Sequence, residues 1–506
     1  MSTNKILLAA AMIAGFAGTA CAVEDPAKAG QPAAKTDKVA EKPCPAPVHK
    51  HHKEHKPVHH HHHHHHAHPG LTVTLGGDID TQFGYRKQSY TYDTDQPGLT
   101  PLPATVSKLH RFAIVNDTTL NVRAEGQSHW FKYGGKIVLN ADTSDNKYGD
   151  EEVARETKIW VRNQMGHLEA GSTTGAYAHL RVNAANIARA TGGIDGDAQY
   201  WWNPYTFNNT SGAPLMGVTP GDFALASETF LLNPNLPSNY SHGLNSNFAK
   251  VSYYTPRWMG FKAGVSFAPD SEQRGTVSRT QSVFRNVSLT PDDLNAVTGY
   301  KNLWEGGISY KGQFDQVGIR VSLTGNAADA KDYHAGGAGS TVRIVREDLM
   351  AWEAGAALSY MGFTLAGSYG DWDDSGVPKT AGGITPLTGK DDASFWNLGL
   401  AYEHKGFGAS VTYMESKSGP LLERNSIGQI DTITTSNKSN KFRILSVGAD
   451  YKVAPGFMPY AEVSFFKMKT GVDTLSTLFN TEVPIVGNDT FKNTGYVILV
   501  GTKLHF

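Results

Sequence analysis

Two groups of residues have types and spacings that could do chemistry. The first is a histidine cluster: His49, His51, His52, His55, the run His59, His60, His61, His62, His63, His64, His65 and His66, and then His68. Packed imidazoles are ligands for Zn, Cu or Ni, and they gain charge as pH falls through their ordinary range. The second is a set of charges at even spacing in strand-like stretches. Lys132 and Lys136 are four residues apart, as are Lys158 and Arg162, so in an extended chain each pair lies on one face. Between such stretches lies Thr191-Gly-Gly-Ile-Asp195-Gly-Asp197, a glycine-flexed acidic segment. Fixed bases and acids of this kind can make a field across water without any covalent step.

Signatures of covalent catalysis are missing. The chain has no nucleotide-binding glycine loop, no H-E-x-x-H, no C-x-x-C and no G-x-S-x-G elbow. The barrel histidines, such as His167 and His505, show no pairing with a nucleophile. The expectation is a non-enzyme with no cofactor. A net charge of −1 gives no nucleic-acid footprint.

The elements that must position these charges are strands. The last stretch, Tyr496-Val-Ile-Leu-Val-Gly-Thr-Lys-Leu-His-Phe506, alternates an apolar face with a mostly polar one. A terminal strand should not leave its backbone groups bare, so it is expected to pair on both sides. If its apolar face meets lipid, only a closed barrel satisfies every N–H and C=O. From Leu71 onward the same alternation recurs. Leu71, Val73, Leu75, Ile79, Phe83 and Tyr85 share one face, and the strand near 129–143 sends Phe131, Tyr133, Ile137 and Leu139 out while Lys132, Lys136 and Asn140 point in. Sixteen such strands are expected, the last near 494–506.

Connections alternate between short ones, such as Met361-Gly362 and His404-Lys405-Gly406, and long ones, the longest near 174–247. Short periplasmic turns with long external loops are the habit of outer-membrane barrels. Tyr310, Tyr360 with Phe363, Tyr402 with Phe407, and Tyr451 with Phe457 flank short turns, as an interfacial aromatic girdle would. Strands one to five show no such rings beside their turns, which points to a protein-facing surface there. The fold class is therefore all-β, a transmembrane antiparallel barrel. A mean hydropathy of −0.36 fits, because half of each strand faces water.

Ahead of the barrel, Lys5 and the apolar run Ile6 to Ala17, followed by Ala20-Cys21-Ala22, read as a secretory signal over 1–22 cut after Ala22. A lipoprotein signal keeping Cys21 as an acylated first residue is the alternative. Cleavage at Ala22 leaves Cys44 as the one cysteine, with no intrachain disulfide. Residues 23–70, rich in Pro, Lys and His, read as a disordered periplasmic tail. Its histidines have three readings: an inserted affinity tag, a natural tail with incidental metal affinity, and a tail selected for metal or pH sensing. Once protonated, the tail could touch anionic cell-wall polymer, peptidoglycan included.

The stretch Val251-Ser-Tyr-Tyr254-Thr-Pro-Arg-Trp-Met-Gly260-Phe-Lys-Ala-Gly264-Val-Ser-Phe-Ala-Pro269 resembles the hairpin of strands six and seven of Gram-negative general porins of α- and β-proteobacterial type. Gly166-His-Leu-Glu-Ala-Gly171 is similar to their fifth strand, and the terminal Phe506 to the residue their assembly machinery reads. The resemblance covers 71–506, not the tail. It implies a homotrimer in outer-membrane lipid and lipopolysaccharide, passing small hydrophilic solutes and ions by diffusion. It also implies that the connection 174–247 folds inward as a constriction loop, presenting Asp195, Asp197, Asp222 and Glu228 to a basic wall. By inward parity that wall would be Arg111, Arg123, Lys132, Lys136, Lys158 and Arg162. Inward acids (Asp78, Asp80, Asp117, Glu305, Glu353, Glu403, Asp450 and Glu462), with Lys250, Lys262 and Arg320 added to the bases, are expected to leave ion selectivity weak. The other readings are a porin specific for phosphate, a sugar or a dicarboxylate, and a structural or adhesive surface barrel.

Overall fold

A computed structural model describes residues 70–93, 110–141, 154–202, 231–237, 247–271, 300–331, 333–335, 342–375, 378–381, 393–418, 439–471 and 490–506. The signal 1–22, the tail and its histidines (His59 to His66 among them), Cys44, Asp222 and Glu228 lie outside the described residues.

Sixteen antiparallel strands close into one barrel. In chain order its first half is β1 (Thr72–Asp93), β2 (Phe112–Gln127), β3 (Lys132–Asn140), β4 (Ala154–Asn163), β5 (Gly166–Ser172), β6 (Ala249–Tyr254), β7 (Phe261–Asp270), β8 (Tyr300–Phe314) and β9 (Val317–Ala330). A three-stranded sheet of β10 (Tyr333–Ala335), β11 (Val342–Arg346) and β14 (Pro378–Ala381) is built from two of the long connections. The barrel continues with β12 (Leu349–Tyr360), β13 (Phe363–Asp373), β15 (Ala393–His404), β16 (Phe407–Ser418), β17 (Asn440–Tyr451), β18 (Phe457–Gly471) and β19 (Thr490–His505).

Closure lies where the sequence places it. β19 pairs with β18 on one side and β1 on the other. Beyond the strand, Phe506 N–H donates to the Gly77 carbonyl at 3.1 Å and Gly77 N–H donates to the Phe506 carbonyl at 2.9 Å. The short turns are tight. Met361-Gly362 (φ 45° and 85°) and Lys405-Gly406 (φ 46° and 85°) both take the left-handed conformation that suits a two-residue hairpin.

The alternation sorts as the sequence implies. Leu358, Leu365, Leu398, Val411 and Val447 face outward and are exposed, while their neighbours Ala357, Ala366, Asn397, Thr412 and Ser446 face inward and are buried. An isolated soluble sheet would not expose such a band; hydrocarbon covers it. Rings pair beside the short turns, Phe261 with Tyr310 and Phe363 with Tyr402. Among the described residues no helix is long and apolar enough to cross a membrane.

Two local expectations change. The β2–β3 turn sits three residues later than the Glu125–Ser128 reading, because β2 stays extended to Gln127 and the turn closes through Ser128 N–H to the Phe131 carbonyl. That turn also displays Trp130, 80% exposed, with Phe131 and Tyr133 beside it. The first five strands are therefore not bare of rings at their short turns.

Candidate pore constriction

The connection after β5 runs along the inside of the barrel as a belt. It begins with a short helix, Ala176–Leu180, and continues through three 3-10 turns, Ala184–Ile187, Gly193–Asp195 and Asp197–Tyr200. Such an irregular run leaves backbone N–H groups without partners of its own, and buried ones must be satisfied. Inward polar side chains of successive strands do this. Ala176 N–H donates to Ser266 Oγ of β7, and Val182 N–H to Ser322 Oγ of β9, both at 2.8 Å. Ala184 N–H donates to Asn397 Oδ1 of β15 and Arg189 N–H to Ser410 Oγ of β16, again at 2.8 Å. Ala190 N–H donates to Asp450 Oδ2 of β17 at 3.0 Å, and the N–H groups of Thr191 and Gly193 share Glu462 Oε2 of β18 at 3.1 and 3.2 Å. Lys503 Nζ of β19 donates to the Ala190 carbonyl at 2.7 Å, and on β1 Gln82 accepts from Trp201 Nε1 at 2.7 Å.

Apolar packing holds the far end of the belt. Trp201, Trp202, Ile194 and Leu232 bury against inward Met414, Phe442, Ile444, Phe466, Met468, Val497 and Leu499. Two glycines let the belt come this close. A Cβ on Gly355 would stand 1.7 Å from the Val182 carbonyl oxygen, and one on Gly84 would stand 2.2 Å from the Trp201 ring.

On the other arc, β2 to β5, the bases line up. Arg123 is directly opposite Lys136, and Lys136 opposite Lys158, across β2, β3 and β4. Lys132 is opposite Arg162 two levels nearer the short turns, with Gly134 and Trp160 between. Arg123 and Arg162 each hold their guanidinium 5.9 Å from the centre of the Trp160 ring. Carboxylates interleave with them. Glu156 lies 2.8 Å from Lys136 Nζ and 3.0 Å from Lys158 Nζ, Glu169 lies 3.1 Å from Lys158, and Glu125 pairs with Arg123. Five of the six expected wall bases thus form one patch. Arg111 does not join it; it sits at the opposite end of β2, where its carbonyl accepts from Arg86 N–H.

The two described loop acids are engaged by the belt itself and by β1 of the wall. Asp195 pairs with Arg181 at 3.3 Å and accepts from Asn235 at 3.4 Å, and burial raises its carboxyl above the ordinary range despite the guanidinium. Asp197 accepts from Gln82 Nε2 at 3.1 Å. The cation that pairs with Asp195 is thus Arg181 of the belt itself, not a base of the β2–β5 wall. The inward acids of the wall are likewise committed. Glu353 accepts from Asn183, Ser368 and Tyr177, Arg189 pairs with Asp450 and Glu403, and buried Glu305 pairs with Lys250 at 2.8 Å. Sequence parity put these acids in the lumen but carried no sign that a loop would use them.

A barrel this wide, narrowed by an inner belt opposite a charged wall, has the layout of a channel. The sequence profile of the Gram-negative porin family matches residues 9–471. The chain belongs to this family.

This porin is an outer-membrane β-barrel protein, and its family and fold point to a channel rather than an enzyme. Its curated relatives include uncharacterized proteins of Rickettsia conorii, 24% identical over 408 residues, and Rickettsia bellii, 25% identical over 417 residues. Each alignment spans 74% of this chain and 80% of the relative. Solved structures of similar fold include the anion-selective porin from Comamonas acidovorans, with 14% identity and a TM-score of 0.45, covering 86% of this chain and 100% of that one. The outer membrane protein OmpT of Vibrio cholerae, in a trimer form, aligns with 11% identity and a TM-score of 0.44 over 86% of this chain and 99% of its own.

Proposed function

We propose that the barrel is a water-filled channel for passive diffusion of small hydrophilic solutes and ions. The observation that carries this is the hydrogen-bonded belt inside the barrel, facing an arc where Arg123, Lys132 and Arg162 stay exposed. Sixteen strands enclose more space than their own side chains fill, and the belt occupies part of it. In this reading Arg123, Lys132, Lys136, Lys158 and Arg162 make the charged wall of the constriction. Asp195 and Asp197 contribute by fixing the belt's shape, and Arg111 acts at the outer mouth.

Residues 1–22 act as the export signal and 23–70 as a periplasmic tail in the same proposal. The homotrimer rests on the resemblance to general porins alone.

Single-channel recording of the detergent-extracted protein in a planar bilayer tests the reading. Large ohmic steps that no solute saturates support general diffusion. Block at low concentration by one solute class would replace it with a specific porin. A folded barrel without conductance would sink the channel reading and favour a structural role.

A further inference from the structure

The seam between β1 and β19 differs in kind from the other contacts of the barrel. Every other pair of neighbouring barrel strands is consecutive along the chain and shares a connection, whereas β1 and β19 are the first and last strands. A hairpin keeps its two strands close even when their hydrogen bonds break. These two strands must find each other across the whole chain. An open seam would set two rows of backbone N–H and C=O groups against hydrocarbon. It would also offer a bare edge to a strand of a second copy.

Side chains cross this seam on the lumen side. Tyr460 of β18 is directly opposite Gly501 of β19, and Gly501 is directly opposite Gln82 of β1. A Cβ on Gly501 would collide with the Tyr460 hydroxyl, so the glycine is what lets this ring pass over β19 to the next strand. There the hydroxyl donates to Asp80 Oδ1 at 2.7 Å and accepts from Gln82 Nε2 at 2.8 Å. Lys503 Nζ of β19 sits 5.1 Å from the centre of the same ring and 4.0 Å from Asp80. Tyr460 and Gln82 are 4% and 3% exposed, so breaking one of these bonds leaves a buried polar group unmet.

The belt crosses the seam at the same place. On one side, Glu462 of β18 accepts from Thr191 and Gly193, and Lys503 donates to the Ala190 carbonyl. Trp201 and Trp202 share an apolar cluster with Val497 and Leu499 of β19. On the other side, Trp201 Nε1 donates to Gln82 Oε1 at 2.7 Å, and Arg86 Nη1 of β1 donates to the Trp201 carbonyl at 2.6 Å. Residues 190–201 therefore grip both edges. Gln82 joins the two crossings, since its one amide group serves Tyr460, Asp197 and Trp201.

We propose that Tyr460 and the far end of the belt form an inner strap that holds the β1–β19 seam shut. The strap acts on the opening of the wall and not on the passage of solutes, so it stands apart from the channel reading.

Hydrogen–deuterium exchange read by mass spectrometry, on the full chain in detergent micelles, tests the strap. In Tyr460→Phe with Gln82→Leu, amides of 78–86 and 497–503 should exchange at least about tenfold faster, the scale for one buried hydrogen bond lost. Those of the β12–β13 hairpin, 355–367, should keep their wild-type rate. Thr81 and Thr502 are directly opposite each other at the seam, within reach of a disulfide. Thr81→Cys with Thr502→Cys, oxidised in the strap variant and in a Cys44→Ala background, should return the seam to slow exchange, and reduction should undo this. Heat-modifiable gel mobility reports whether each variant is folded. Tyr460→Phe alone keeps the ring and the contacts of Gln82 with the belt; it should still speed the seam several-fold if the double variant does not fold. Unchanged exchange at the seam in the folded variants, or equal acceleration at 355–367, would overturn the proposal. So would a seam that stays fast when cross-linked.

Discussion

Lys136 Nζ lies 2.8 Å from Glu156 Oε2, and the same carboxylate sits 3.0 Å from Lys158 Nζ. One acid therefore offsets part of two bases in the middle of the exposed arc. Glu156→Gln removes a unit charge next to the proposed path. At about 6 Å in water a unit charge is worth about 0.7 kcal/mol. The chloride-to-potassium permeability ratio should rise about threefold, read from the reversal potential in a salt gradient. Screening should shrink the effect toward 1 M salt. An unmoved reversal potential at low salt would mean that this wall does not line the path.

Trp202 packs its ring on Phe466 at 4.8 Å and on Phe442 at 5.6 Å. Trp202→Ala should cost the seating of the belt about 3–5 kcal/mol, the usual cost of emptying a large aromatic site. The barrel strands should stay folded, so the loss should appear as faster proteolysis within 174–247 and noisier conductance. Equal protease resistance would show that the backbone hydrogen bonds suffice to hold the belt.

His179, at the start of the belt, has its pKa lowered below 6.5, first by burial and then by Lys158 and Lys262, with Glu169 and Glu156 pulling the other way. The folded protein thus favours the neutral ring. Its contribution to stability is complete above the unfolded value near 6.5 and is lost as pH falls below it. Ring proton shifts followed by NMR should place the His179 midpoint below that of a histidine in an unfolded peptide. His179→Gln should flatten the acid side of the stability profile; a midpoint at or above 6.5 would reverse the sign.

Phe506 exchanges two backbone hydrogen bonds with Gly77, and its ring packs over the Gly77 backbone. Phe506→Ala keeps the backbone pairing and removes the ring. If the ring is the assembly signal, barrel levels in the outer membrane should drop several-fold while refolding in detergent stays near normal. Loss of refolding in detergent as well would assign Phe506 to stability instead.

Much of the fold was legible because a strand has only two faces. Alternation alone placed Phe83 and Ile137 outward and Lys136 and Lys158 inward, and the apolar face of the last strand announced closure. The belt was harder to read. Ser266, Ser322, Asn397, Ser410, Asp450 and Glu462 look in sequence like wall residues meeting water. Their actual partners are N–H groups far along the chain, such as Glu462 with Thr191 and Gly193, and no local pattern encodes that pairing. Glu353, Asp450 and Glu462, which parity counts simply as lumen acids, are occupied by the belt. The basic arc was readable because inward parity needs no register: Lys132 and Lys136, and Lys158 and Arg162, share one face whichever residues they oppose.

The inner belt also bears on how this protein could change over generations. Its contacts advance strand by strand from Ser266 on β7 to Gln82 on β1. Inserting or deleting one hairpin within that arc would shift the later contact points by two strand spacings, roughly 9–10 Å. The run from Ala176 to Trp201 would then overshoot or fall short of them. Strand number and loop length are tied together, so the pore can drift in charge one residue at a time but can change girth only if both alter at once.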